Sequence, residues 1–284
     1  MAPRLLEEVM ARIEQASGLD AVARPLAKKV AAVIPGGVVK DTLSGTWMGH
    51  PLHPMMTDLP IGAWTCATAL DLLGREADEA AATRLVGLGV LTALPTAVSG
   101  LSDWSDTLGG ERRIGLVHAI GNVVGVSLYG LSWVARRKGD HRRGVVLGLA
   151  GATAATVGGY LGGHLAWRMG VNVDRHAWDH HADDWVDAAA EDDLAEGRPI
   201  AVTAGDEEVL LVRTGSTISA IADVCAHAGG PLHEGAVEGG CVTCPWHGSV
   251  FRLEDGSVVH GPATGPQPSY EVRTSGGQVL VRRR

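Results

Sequence analysis

Two short stretches near the C-terminus combine cysteine and histidine at close spacing: Cys225-Ala226-His227 and Cys244-Pro245-Trp246-His247. Sixteen residues lie between His227 and Cys244, enough to set the two stretches on separate loops. One thiolate and one neutral imidazole from each of two loops is the donor set of a mixed-ligand [2Fe–2S] centre. The two thiolates hold one iron and the two imidazoles hold the other. Glycines stand where tight turns would need them, in Gly229-Gly230-Pro231 after the first stretch and at Gly248 after the second. A Cys₂His₂ zinc site is the competing reading, for which Cys-x-His is an unusual spacing. Cys241 makes a Cys-x-x-Cys pair with Cys244. Cys244 is already committed to metal, so Cys241 reads as a buried strand cysteine. Cys66, the remaining cysteine, lies in an apolar stretch and reads as a space-filler between helices.

A second set of candidates lies earlier in the chain. His50 and His53 stand in Gly49-His50-Pro51-Leu52-His53-Pro54, His118 follows Arg113, and His164 precedes Arg168. The last three sit at the ends of long apolar stretches. Residues 144–167 form a run of 24 without Asp, Glu, Lys or Arg, residues 114–135 a run of 22, and residues 85–102 a run of 18. Each is long enough to cross most or all of a ~30 Å hydrocarbon layer as a helix. A fourth stretch, 59–74, contains Asp71, which should face the bundle interior or the far interface. Gly158, Gly159, Gly162 and Gly163 give small-xxx-small spacing twice, suited to close helix packing in lipid and unfavourable for a helix in water.

Alternating passage of four spans puts the start of the first, the start of the third and the end of the fourth on one side. His53, His118 and His164, together with His50, are therefore expected near one membrane level, with Asp103 at the rim. Histidine inside a span is a functional candidate. Three roles are open: axial ligation of haem b by two of the three, a non-haem metal or quinone site, or hydrogen bonding between helices.

The remaining elements frame these sites. Residues 1–44 are amphipathic, broken by Gly18 and Pro25, and fit helices lying on a membrane surface or a solvated tail. Their first apolar residues, Leu5, Leu6, Val9 and Ile13, have helical spacing, so no secretory signal is expected. Residues 45–173 make the four-span domain. Residues 174–193 form an acidic and His-rich linker, including Asp179-His180-His181-Ala182-Asp183-Asp184, read as solvated rather than metal-binding. Residues 194–284 show short strands at 199–202, 208–213, 217–222, 249–253, 270–273 and 278–281, separated by glycine turns. The expected fold is an all-α four-helix transmembrane bundle followed by an all-β antiparallel sandwich. A positive mean hydropathy beside a net charge of −8 agrees with such segregation, and the acidic balance excludes nucleic acid as a partner.

The C-terminal domain resembles the Rieske ferredoxins that serve bacterial ring-hydroxylating dioxygenases. The resemblance implies a third, cluster-covering loop at Gly261-Pro262-Ala263-Thr264-Gly265-Pro266. It is less similar to the Rieske subunits of cytochrome bc complexes. Those carry a disulfide between the cluster loops, where this chain has Gly230 and Trp246, and a Ser and Tyr hydroxyl near the cluster, where it has Ser249 and Phe251. The helical part, roughly 48–173, resembles a bacterial family of four-helix membrane domains opening with His-Pro-x-His-Pro, for which no activity is settled. Gly162-Gly163-His164-Leu165 adds to that likeness.

These features lead to the expectation of a membrane-anchored one-electron carrier that relays electrons to or from a haem or quinone. The alternative is a tethered ferredoxin or redox sensor whose membrane half is only an anchor. Only His260 remains as a histidine after His247, so the mononuclear iron site of an oxygenase is not expected. Expected partners are redox proteins or a quinone, with membrane lipid around the spans, and oligomerisation stays open. The protein is expected in the cell membrane. The basic loop of Arg136, Arg137, Lys138, Arg142 and Arg143 argues for an exported C-terminal domain, and Arg142-Arg143 resembles a weak twin-arginine signal. The long charged N-terminal tail and the missing disulfide argue for the cytoplasmic face, which is preferred.

Overall fold

The computed structural model describes residues 2–179 and 184–284, so His180, His181, Ala182 and Asp183 of the acidic linker lie outside the described residues. Two compact units emerge, one of Met1–Ile34 and Leu52–Val171, the other of Pro35–Pro51 and Asn172–Arg284. The helices in chain order are α1 (Ala2–Gln15), α2 (Asp20–Val33), α3 (Val38–Ser44), α4 (Leu52–Leu73), α5 (Glu79–Ser105), α6 (Gly109–Arg137) and α7 (His141–Gly163). All but α3 belong to the first unit.

Each apolar stretch becomes a helix that starts in its polar N-terminal flank, where the backbone hydrogen bonding continues. Helices α5, α6 and α7, the last with a π turn at His164–Arg168, are long and apolar enough to cross a membrane. Helix α4 has the length, at 22 residues, but carries Asp58 and Asp71.

The packing is inverted relative to a water-soluble bundle. Leu88, Leu91, Leu94 and Val98 on α5, and Ile120, Val123, Val124 and Leu131 on α6, point outward. The interior holds Ala67, Val86, Ala93 and a stacked pair, Trp64 on Tyr129, with ring centroids 4.1 Å apart. Small interior residues with large aliphatics outside are what helix association in lipid favours. Cys66, expected between helices, is also exposed.

Asp71 finds its counter-charge on a neighbouring helix. Arg136 at the end of α6 donates to both carboxylate oxygens, at 2.8 and 2.5 Å, and neither side chain is more than 5% exposed. Arg136 Nε also donates to Ser132 Oγ at 3.2 Å.

Helices α1 and α2 dock on this bundle. Met10 packs with Ile114 and Leu161, and Ala23 and Ala27 pack with Trp104 and Leu116. Arg113 donates to both oxygens of Asp20 at 2.8 Å and to the Glu14 carbonyl. The amphipathic stretch 1–44 therefore does not behave as one piece. It breaks at Gly36-Gly37, where Gly37 has φ +97°, and α3 joins the second unit.

The second unit is all-β apart from α3. Its strands are β1 (Val186–Ala190), β2 (Ile200–Ala204), β3 (Glu207–Thr214), β4 (Thr217–Ala222), β5 (Ala236–Glu238), β6 (Cys241–Thr243), β7 (Val250–Arg252), β8 (Val258–His260), β9 (Tyr270–Ser275) and β10 (Gln278–Arg283). They form antiparallel sheets in the orders β1-β10-β9, β2-β3-β4 and β5-β6-β7-β8. The β2-β3-β4 sheet contributes to two cores. Val209 and Leu211 enter one with Val279 and Val281, while Leu210 and Val212 enter the other with Val242 and Phe251. Both faces of β3 are covered, which is why its sequence is a continuous apolar run. Strand β1 falls inside the stretch expected as linker. Its Val-Asp-Ala-Ala-Ala sequence has little β propensity, and pairing with β10 sets its conformation.

Candidate metal centre

Two loops rise from the sheet ends. One follows β4 and carries Cys225 and His227; the other joins β6 to β7 and carries Cys244 and His247. They close in the same way. The Cys225 N–H donates to the Gly230 carbonyl at 2.9 Å, and the Gly229 N–H donates back to the Cys225 carbonyl at 2.8 Å. Likewise the Cys244 N–H donates to the Ser249 carbonyl at 2.8 Å, and the Gly248 N–H to the Cys244 carbonyl at 3.1 Å. Gly229 and Gly248 have φ +81° and +76°, a left-handed turn that glycine makes without a Cβ clash.

This geometry aims backbone dipoles at sulfur. The N–H groups of His227 and Ala228 point at Cys225 Sγ, and those of Trp246 and His247 at Cys244 Sγ. The two thiols, both almost fully buried, share a hydrogen bond. That bond pulls Cys244 below the ordinary thiol range, with its two backbone donors adding to the effect, and pushes Cys225 above it, with burial adding to the rise. Backbone donors facing both sulfurs favour the thiolate form in which cysteine binds a metal. The His227 and His247 rings stand 5.1 Å apart, nearly perpendicular. The two loops thus bring together two buried sulfurs and a facing pair of imidazoles, the donor types of a mixed-ligand [2Fe–2S] cluster. A Cβ at Gly230 would lie 2.8 Å from Cys244 Sγ and 3.1 Å from Trp246, so glycine there leaves room against the sulfur.

Three supports of these loops carry no signal in the sequence. Gln267, 2% exposed, accepts the Ala226 N–H at 2.7 Å and donates to the Ala222 and Val224 carbonyls. His176 bridges Asp179 and the Val224 carbonyl, both at 2.6 Å. Asp41 on α3 accepts the Gly261 N–H at 2.7 Å and bonds His260 Nδ1 at 2.9 Å, holding the start of the Pro/Gly-rich loop. In the same loop the Ala263 N–H donates to Ser249 Oγ at 3.0 Å. Phe251 is fully buried in the core that includes both cysteines, and Cys241, expected to be buried, is half-exposed.

The helical-unit histidines separate. His53 and His118 face each other at 6.4 Å between ring centroids. His164 instead bonds Glu14 Oε1 at 2.9 Å, a partner supplied by α1 that the expected four-span layer lacked. His50 belongs to the second unit, and Asp103 is buried near the end of α5.

Comparison with known proteins follows the same division. Residues 184–271 match the Rieske [2Fe-2S] domain family, and residues 49–175 match a family described as a predicted membrane protein (DUF2231). The anthranilate 1,2-dioxygenase ferredoxin subunit of Burkholderia cepacia is 36% identical over 98 residues, covering 34% of this chain and 91% of that protein. Ferredoxin CarAc of Metapseudomonas resinovorans is 31% identical over 98 residues, 34% of this chain and 92% of its own. Among solved structures, the ferredoxin of carbazole 1,9a-dioxygenase from Nocardioides aromaticivorans IC177 is 30% identical with a TM-score of 0.34, over 35% of this chain and 98% of that one. Through its C-terminal unit, the chain belongs to the Rieske [2Fe–2S] family.

Proposed function

We propose that this protein is a membrane-anchored one-electron carrier whose [2Fe–2S] cluster is held by Cys225 and Cys244 on one iron and His227 and His247 on the other. The observation that carries this is the matched closure of the two loops, which turns backbone N–H groups onto both buried sulfurs, the same loops carrying a facing pair of imidazoles. The cluster supplies one-electron redox chemistry when bound. The chain's own residues orient the ligands, donate to the sulfurs and keep water from them.

The membrane half crosses the bilayer four times, with α4 as the first span. The buried Asp71–Arg136 pair supports this, since an Asp neutralised inside the bundle no longer bars the helix from lipid. The unit of 1–34 and 52–171 carries the anchor, and the unit of 35–51 and 172–284 carries the cluster. With Arg136 paired internally, the basic loop loses one charge from its positive-inside weight, which favours the cytoplasmic face for the cluster domain. Soluble redox proteins are the partners on that face, in keeping with the dioxygenase ferredoxins to which the domain is similar. In the membrane half a haem or quinone exchanges the electron.

Full-length protein tests this reading. It should stay in the membrane fraction through high-salt and carbonate washing, and show a reversible one-electron signal in a potentiometric titration followed by electron paramagnetic resonance. Release by the wash, or no redox-active cluster, overturns it.

A further inference from the structure

His53 on α4 and His118 on α6 share a mode of support. His53 Nδ1 donates to the Thr96 carbonyl on α5 at 2.9 Å, and His118 Nδ1 to the Gly158 carbonyl on α7 at 2.8 Å. A carbonyl only accepts, so each Nδ1 carries the proton and each neutral ring keeps its lone pair on Nε2. Asn122 Nδ2 lies 3.0 Å from His118 Nε2 and 3.4 Å from its Nδ1, alongside the ring rather than on the axis of the Nε2 lone pair. A backbone acceptor that fixes the tautomer and leaves Nε2 to bind is the usual support of a metal-ligating histidine. Both rings are half-buried. A Cβ at Gly100 would fall 2.5 Å from His53 Cε1, and one at Gly162 3.1 Å from His118 Cε1, so small residues of α5 and α7 make the space the two rings occupy.

The number of donors selects the group. The helical-unit site offers two imidazoles, His53 and His118. A bare transition-metal ion draws three or four ligands from the protein. A haem iron brings four nitrogens of its own and needs only axial ligands. An imidazole nitrogen sits ~2 Å from such a metal and the ring centre ~1 Å further back, so two axial imidazoles have centroids ~6 Å apart. His53 and His118 are 6.4 Å apart, with ring planes at 88°. His164 is engaged by Glu14 and stands outside the pair.

We infer that His53 and His118 are the two axial ligands of a b-type haem in the helical unit. This rests on the electron-carrier reading and specifies its second redox group. The test uses full-length protein in detergent, expressed with haem precursor. The reduced protein should show the absorption bands of a low-spin haem and a b-type pyridine haemochrome. His53→Ala and His118→Ala should each lose the low-spin spectrum and regain it when imidazole is added, which a purely structural histidine would not give. His164→Ala should keep the full spectrum. Every variant should retain the cluster's paramagnetic signal, which also reports that it has folded. Wild type without haem but with that signal overturns the haem site and leaves the carrier reading standing; a missing cluster signal overturns the carrier reading itself. Haem retained in His53→Ala and His118→Ala, or loss that imidazole does not reverse, overturns the ligand pair.

Discussion

At the scale of single residues, the cluster surroundings set the potential. Each hydrogen bond to sulfur stabilises the added electron. Phe251 offers none, and no disulfide joins the loops at Gly230 and Trp246. The midpoint should therefore lie toward the low end of the Rieske range of about −150 to +300 mV. Phe251→Tyr should raise it. A new bond favouring the reduced cluster by ~1 kcal/mol corresponds to roughly 40 mV for one electron. A redox titration of both proteins checks this, and a wild-type midpoint in the upper third of the range would speak against it. The two Cys and His stretches stand out in the sequence because metal chemistry restricts both residue type and spacing. Gln267, His176 and Asp41 do not. Their role comes from reaching loops 41 to 220 positions away in sequence, and a lone Gln, His or Asp carries no pattern that says where it will land.

At the scale of elements, two ion pairs hold the helical unit together, and they should respond differently. Asp71 and Arg136 are buried, so removing one partner leaves an unpaired charge. Arg136→Leu should cost about 3–5 kcal/mol, whereas Asp71→Leu combined with Arg136→Leu should cost much less. Thermal unfolding in detergent of the two single variants and the double variant measures this, and simple additivity would show that the pair is not coupled. The Asp20–Arg113 contact is at the surface end. The Arg113 guanidinium holds the Asp20 carboxyl at about 2, below its ordinary value near 4. A carboxyl depressed on folding contributes stability above its unfolded value and loses it as pH falls toward its folded one. Docking of α1 and α2 should thus weaken between about pH 4 and pH 2. Protease cleavage within residues 16–36 should rise over that window, and Asp20→Asn should remove the dependence. Apolar run length located these helices well. It missed the docking of α1, because amphipathicity looks the same whether the apolar face meets lipid or another helix. It also left Asp71 without a partner, because the pair joins residues 65 apart.

At the scale of the whole molecule, the chain joins a domain similar to dioxygenase ferredoxins to a helical unit with an apolar outer face. The ferredoxin relatives match only about a third of it. What the remainder adds, on the account above, is anchorage and a second redox group, and both depend on the cluster being present and ligated as proposed. The most direct test is the coupling of ligand nitrogen to the cluster, read by electron spin echo envelope modulation on reduced full-length protein. Two inequivalent imidazole nitrogens should couple to the reduced centre, and His227→Ala and His247→Ala should each abolish the normal signal. A reduced cluster with no nitrogen coupling, or protein holding zinc and no acid-labile sulfide, would contradict the account.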